Sequence, residues 1–303
     1  MKKLYITEPD AINADTVRQL LPADWVIVRG DTSFSGDNIQ DCSALLIRSA
    51  TTITSSIVER FPDLHSVVRV GVGVDNVDVD FCTSHDIAVY NAPGANSDAV
   101  SDYVVGMMFH GLRNLHLLTR PDVANWNRFK FTGHSMAGRT IGIVGFGNIG
   151  KQIFAKLQGF KCKAFYVYDP FIKAEDMPQG VTYATSVDDV LRASDIVTLH
   201  VPLLPTTQYL INKDNLNLLP AGAILINASR GGIVNEADII AHAQSHALVY
   251  VADTVENEPH VSEALLDSPS VVVTPHIASL TQESDDNVLA VAIQNLLAGK
   301  KMN

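Results

Sequence analysis

The chain has 303 residues, with 33 acidic and 22 basic side chains for a formal net charge of −11, and 47% of its residues are hydrophobic. The length exceeds what one core normally fills, so two domains are expected, and the apolar content excludes disorder as the resting state. The acidic balance argues against nucleic acid or an anionic membrane as the main partner, since both select a basic footprint, and nothing approaches the roughly 18 consecutive apolar residues of a spanning helix.

The opening residues, Met1-Lys2-Lys3-Leu4-Tyr5-Ile6, contain two lysines but no apolar h-region, so they do not read as a signal peptide. Cys42, Cys82 and Cys162 are scattered, which suits reduced thiols in a cytoplasmic protein and offers no metal-ligand spacing. Short β-rich runs then alternate with helical patterns, the mark of βαβ units and parallel sheets. Strands are expected at 3–7, 25–29, 44–48, 66–70 and 87–90, where Leu45-Leu46-Ile47 and Val67-Val68 are continuously apolar, as in strands covered on both faces. Residues 98–118 read as a long helix. Its Val100, Val104, Met107, Met108, Leu112 and Leu115 cover more than one face, enough for a sheet and a further surface such as a second subunit. The polar stretch 121–134, with Trp126 and Phe129, reads as a connection. A second strand series is expected at 140–144, 163–168, 196–201, 223–227, 248–252 and 271–274, giving two doubly wound sheets. A terminal amphipathic helix at 285–299, with no strand after it, is expected to cross back to the first domain.

The strongest local signal is Gly142-Ile143-Val144-Gly145-Phe146-Gly147-Asn148-Ile149-Gly150. A lone G-x-G-x-x-G is weak, but here an apolar strand precedes it, and Ile149, Ile153 and Leu157 recur at helical spacing after it, with Gly159 as the expected C′ residue. Gly145 permits the tight turn, Gly147 lets a pyrophosphate approach the backbone, and Gly150 lets helix and strand pack closely. Free amides at the helix N-terminus stabilise the diphosphate charge. Asp169 ends the next strand, 19 residues after Gly150 (169 − 150), where a carboxylate accepts from ribose hydroxyls and repels a 2′-phosphate. This favours NAD over NADP; the alternative is that Asp169 merely caps a turn before Pro170.

Arg230, Glu258 and His276 each follow a strand of the second series, where an open α/β sheet gathers its ligands. Taken singly, each has a plain explanation: a surface cation at a turn, a loop charge, a satisfied histidine near a strand end.

Together with other motifs they resemble the D-isomer-specific 2-hydroxyacid dehydrogenases, and within them the phosphoglycerate dehydrogenases in a short form without a regulatory domain. The resemblance covers essentially the whole chain. It rests on Arg48-Ser49-Ala50-Thr51, Gly71-Val72-Gly73-Val74-Asp75-Asn76-Val77-Asp78, Asn91-Ala92-Pro93-Gly94-Ala95-Asn96-Ser97, the glycine fingerprint, His200-Val201-Pro202-Leu203, Asn227-Ala228-Ser229-Arg230-Gly231-Gly232, Glu258-Pro259 and Pro275-His276-Ile277-Ala278-Ser279.

The resemblance implies an α/β protein of two doubly wound parallel-sheet domains. A Rossmann-type NAD domain at 98–279 is inserted into a flavodoxin-like substrate domain formed by 1–97 and 280–303, and hinge closure excludes water before reaction. It implies an NAD-dependent oxidoreductase moving a hydride between nicotinamide and C2 of a small D-2-hydroxy acid. His276 would be the base, since histidine's ordinary pKa lies near working pH; Glu258 would orient it; Arg230 would bind the substrate carboxylate and polarise C2–O. Asp253 would hold the nicotinamide carboxamide, with Gly145, Gly147, Asn148, Ile149, Asp169, His200, Val201, Pro202, Thr206, Ala228, Arg230 and His276 along the cofactor. Arg48, Ser49, Val72, Gly73 and Asn96, with Arg230 and His276, would meet the substrate. The expected substrate is 3-phosphoglycerate, with Arg48 on its phosphate. Glycerate, glyoxylate or lactate, which Arg48 could equally serve, is the alternative, and the plain reading of Arg48 is a solvated surface arginine or one paired with an aspartate of its own domain. A homodimer is expected. The other class of reading is an NAD(H)-sensing binding protein on the same fold. Two departures from the family pattern stand out: Asp253-Thr254-Val255 where Asp-Val-Phe is common, and Ser101-Asp102 where Ala-Glu is common.

Overall fold

In the computed structural model, which describes residues 2–34 and 39–303, five parallel strands form the first sheet. They are β1 (Lys2–Ile6), β2 (Trp25–Arg29), β3 (Ala44–Ile47), β4 (Ser66–Arg69) and β5 (Ala88–Tyr90), in the order β2-β1-β3-β4-β5. Successive side chains of a strand point to opposite faces. Leu4, Ile6, Leu46 and Val68 therefore enter one apolar cluster, while Tyr5, Leu45, Ile47 and Val67 enter another. Both faces are covered, which is why these strands read as unbroken apolar runs.

Compact packing groups the residues up to Asn96 with Leu280–Asn303, and Ser97–Ser279 as a second unit. The terminal helix, Gln282–Ala298, belongs to the first unit and lays Val288, Leu289, Ala292 and Ile293 on the Leu4 face of its sheet. It starts three residues before the expected 285, because Thr281 caps it by accepting from Ser284 N, and Gly299 at φ 66° ends it.

The second unit holds β6 (Thr140–Val144), β7 (Ala164–Tyr168), β8 (Val181–Tyr183), β9 (Ile196–Leu199), β10 (Ile224–Asn227), β11 (Val249–Ala252) and β12 (Val271–Val273). All are parallel, in the order β12-β11-β10-β9-β6-β7-β8. β8 has no counterpart among the expected strands: three residues at a sheet edge are too few for alternation to register. The sheet grows in opposite directions from the β6/β9 pair. Connections there lead to opposite faces, which opens a crevice beyond their C-terminal ends.

The helix expected over 98–118 runs Ser97–Leu112. It packs Val100, Val104, Met108 and Leu112 on the sheet and stops where Asn114 turns left-handed at φ 54°, before a 3₁₀ turn, Leu115–Leu117. The stretch expected as a plain connection contains a short helix, Arg120–Ala124, and a 3₁₀ turn, Arg128–Phe131. The Asp122 carboxylate ties the two together by accepting from Thr119 Oγ1 and Lys130 Nζ. Among the described residues no helix is long and apolar enough to cross a membrane, and no group of histidine, cysteine, aspartate and glutamate could hold a metal ion.

Candidate active site

The crevice end of β6 carries the glycine turn, and each glycine is there for a different reason. Gly145 lies at φ 91°, and a Cβ on it would stand 2.3 Å from the His200 carbonyl. A Cβ on Gly150 would stand 2.4 Å from the Gly145 carbonyl and 3.2 Å from Ile143, so the helix Asn148–Leu157 can lie this close to its strand only with glycine there. A Cβ on Gly147 would meet nothing within 4 Å. The space over that residue is open, and no side chain caps the helix that starts beside it. An open approach to uncapped amides fits a diphosphate. The helix ends differently from expectation: Gly159 lies in a 3₁₀ turn, and Lys161 takes the left-handed position at φ 56°.

Asp169 follows β7 and is buried, with Oδ2 accepting from Phe146 N at 2.8 Å and Oδ1 from Phe171 N at 2.9 Å. It caps the turn past Pro170, and it ties that turn to the glycine loop while keeping further lone pairs for a ligand. Beside it, Phe146, Phe154, Phe171 and Ile172 line a cavity of about 510 Å³.

The candidate groups Arg230, Glu258 and His276 sit on three successive loops, after β10, β11 and β12, at the C-terminal end of the sheet. His276 Nδ1 is 2.9 Å from Glu258 Oε2, and Glu258 Oε1 accepts from Val255 N at 3.0 Å. Burial opposes ionisation of Glu258, but the His276 hydrogen bond and the charges of His276 and Arg230 outweigh it and hold the carboxyl below its ordinary range. The sheet thus brings Glu258 and His276 into contact and Arg230 into their field.

The supporting residues are ones to which motif reading gave no role. Asn227 ends β10, is 1% exposed, and donates to the Arg230 carbonyl at 2.8 Å while accepting from Ser229 N at 3.1 Å. Glu236 and Glu256 exchange bonds: Glu256 N donates to Glu236 Oε1 at 2.6 Å, and Glu236 N to Glu256 Oε1 at 3.2 Å. That clasp ties the loop bearing Glu258 to the start of the helix Glu236–His246. Burial, with the neighbouring charges of Glu256 and Glu258, raises the Glu236 pKa. An asparagine closing the apolar run Ile224-Leu225-Ile226 was a readable signal. The glutamate clasp was not, because it joins residues 20 apart.

Residues 105–278 match the D-isomer specific 2-hydroxyacid dehydrogenase, NAD binding domain. The chain belongs to that family. Among its relatives is D-3-phosphoglycerate dehydrogenase of Bacillus subtilis, 34% identical over 295 residues that cover 95% of this chain and 55% of that protein. Another is (S)-sulfolactate dehydrogenase of Chromohalobacter salexigens, 37% identical over 259 residues that cover 84% of this chain and 83% of that protein. The chain spans about half the length of the phosphoglycerate dehydrogenases it matches, 55% and 58% for two of them. Among solved structures, an NADPH-dependent glyoxylate/hydroxypyruvate reductase from Sinorhizobium meliloti superposes with a TM-score of 0.84 at 27% identity, covering 100% of this chain and 96% of that one.

Two candidate residues have partners within their own unit. Asp253 is 2% exposed, and its carboxylate accepts from Thr274 Oγ1, Ile277 N and Ala278 N, so it braces the turn bearing His276. Arg48 is paired rather than solvated, as one of the alternatives for it had it. Its Nη2 is 2.9 Å from Asp285 Oδ1 and its Nη1 donates to the Ala11 carbonyl at 3.0 Å, both within the first unit. The amides of Arg48 and Thr51 are taken by Glu8 Oε1, at 2.9 and 3.1 Å. Ser49 lies exposed in the same loop, Val72 and Gly73 are half-buried after β4, and Asn96 is half-buried at the close of the loop after β5.

Of the remaining cofactor candidates, His200 and Val201 follow β9, with Pro202 and Thr206 exposed beyond them, and Ala228 follows β10. Asn148 and Ile149 open the helix after the glycine turn. His200 Nε2 lies 2.8 Å from Thr198 Oγ1, and burial pushes its pKa down to about 3, so its imidazole is neutral. The two departures also have places. Thr254 is buried with its hydroxyl unpartnered among the described residues, and Asp102 pairs with Lys156 inside the second unit.

Proposed function

We propose that the chain is an NAD-dependent dehydrogenase interconverting a small D-2-hydroxy acid and its 2-keto acid. The observation that carries this reading is the 2.9 Å Glu258–His276 contact, set on the sheet edge that also bears the glycine turn. An ionised Glu258 can only accept, so the proton between the pair belongs to His276 Nδ1, and the neutral ring keeps its lone pair on Nε2. Nε2 takes the hydroxyl proton when the acid is oxidised and returns it when the keto acid is reduced, and Glu258 stabilises the imidazolium formed between. Arg230 binds the substrate carboxylate and draws charge from C2–O, a task suited to a planar cation that never deprotonates. Bound along Gly145–Gly150 and Asp169, NAD supplies the two-electron acceptor. The buried Asp169 carboxylate supports NAD over NADP. Ser49, Val72, Gly73 and Asn96 of the first unit are the further substrate candidates.

For the substrate, the family relatives named for 3-phosphoglycerate and sulfolactate support an acid with a second anion at C3, 3-phosphoglycerate first. The Arg48–Asp285 ion pair favours the second reading, an unphosphorylated acid such as glycerate, glyoxylate or lactate. The protein is read as cytoplasmic. It is also read as a homodimer to which the helix Ser97–Leu112 contributes, with the exposed Leu118, Val123, Trp126 and Phe129 beyond it as further apolar surface.

The test is NADH absorbance with a panel of 2-keto acids that includes 3-phosphohydroxypyruvate, sulfopyruvate, hydroxypyruvate, glyoxylate and pyruvate. Turnover on one of them, lowered by about 10²–10⁴ in kcat by His276→Ala with NADH affinity unchanged, is expected. Cofactor binding without turnover on any acid would replace the enzyme with a nucleotide-sensing binding protein.

A further inference from the structure

A chain of hydrogen bonds with a defined direction holds the turn that presents His276. Thr274 Oγ1 lies 2.6 Å from Asp253 Oδ1 and 2.6 Å from the Tyr103 hydroxyl. A carboxylate oxygen only accepts, so the single Thr274 proton goes to Asp253, and Tyr103 must be the donor to Thr274. Asp253 then accepts from Ile277 N at 2.8 Å and Ala278 N at 2.9 Å, and its carbonyl accepts from His276 N at 2.9 Å. His276 sits at φ 54°, a left-handed conformation that a non-glycine residue keeps only when its surroundings impose it. The far end of the chain is anchored. Tyr103 lies on the helix Ser97–Leu112, whose Val100, Val104 and Met108 are in the core. Burial pushes its phenol up to about 12, so the donor proton is present throughout the working range.

We propose that Tyr103 is a positioning residue for the reaction: through Thr274 and Asp253 it orders the 274–278 turn and so sets the aim of the His276 imidazole. The inference rests on His276 as the proton-transfer group. Each bond in such a chain polarises the next, so removing the terminal donor loosens the whole turn although Tyr103 itself touches no reacting atom.

Tyr103→Phe keeps the ring and removes only the donor. With the keto acid the panel identifies, kcat is expected to fall about tenfold with KM for both reactants unchanged. Thr274→Val should act alike, the double variant should be no worse than Thr274→Val alone, and Thr274→Ser should retain activity. The His276 ring ¹⁵N shifts, read without substrate, should move in Tyr103→Phe. An unchanged kcat with unmoved ring shifts, a loss confined to KM, or additive losses in the double variant would overturn the proposal. If Tyr103→Phe folds poorly, Thr274→Val against Thr274→Ser decides by the same readings. His276→Ala run alongside separates the two levels. Full turnover in that variant sinks the dehydrogenase reading, while lost turnover beside a silent Tyr103→Phe sinks only the positioning role.

Discussion

Glu258 is more acidic than an ordinary glutamate because its hydrogen bonds with His276 and Val255 N and its neighbours His276 and Arg230 outweigh the cost of its partial burial. A carboxyl whose folded pKa lies below its unfolded value, here about 4.5, adds stability that is present above 4.5 and is lost as pH falls through the lower folded value. Thermal melts across the acid range should therefore show wild type and Glu258→Gln differing most above pH 4.5 and converging below it. A constant gap at all pH values would contradict the pairing. The same scale governs cofactor choice. Asp169→Ala removes the acceptor for the Phe146 and Phe171 amides, so NAD affinity should fall by about tenfold or more while NADP is discriminated against less. Equal use of both cofactors by the unaltered protein would show that Asp169 does not select. Arg48 and Asp253 teach the limit of reading residues one at a time. Their types and loop positions suit anion and amide recognition, yet Asp285 and the 274–278 turn engage them, and those partners are 237 and 21 to 25 residues away in sequence.

At the scale of elements, the three fingerprint glycines predict two different outcomes. Gly150→Ala and Gly145→Ala both force a Cβ against backbone, so each should destabilise the fold by about 2 kcal/mol or more, read as a lower urea midpoint. Gly147→Ala meets nothing, so its midpoint should hold while NADH affinity drops, separable by melting and by fluorescence titration. Strand positions were legible because doubly covered strands must be apolar on both faces. Helix ends were less so. The terminal helix announced its stop at Gly299, whereas Asn114 and Lys161 turn left-handed without being glycine, and the surrounding packing decides that. At the end of β9, the neutral His200 makes a further case. Its imidazole titrates at about 3 in the fold against an ordinary 6.5, so between those values the unfolded chain takes up a proton that the native one refuses. Native stability should thus fall as pH drops from about 6.5, by at most about 1.4 kcal/mol per pH unit. His200→Gln should flatten that fall between pH 7 and 5 in urea titrations. Parallel curves for the two proteins would contradict the assignment.

For the molecule as a whole, the exposed Trp126 (77%) and Phe129 (79%) are the largest apolar side chains left to solvent in the segment after the helix Ser97–Leu112. If copies meet there, Trp126→Ser with Phe129→Ser should shift sedimentation from dimer to monomer with little change in the unit's own melting. A protein that sediments as a monomer without those changes would remove the dimer. The sequence by itself determined the two parallel sheets and the cofactor turn, because unbroken apolar runs and glycine stereochemistry are written in short windows of neighbouring residues. Only the tertiary structure decided that Arg48 answers to Asp285, that Asp253 braces the histidine turn, and that Tyr103 stands behind Thr274. Those choices depend on which distant groups a folded sheet brings within about 3 Å of one another, and hydrogen bonds discriminate at that distance and nowhere beyond it.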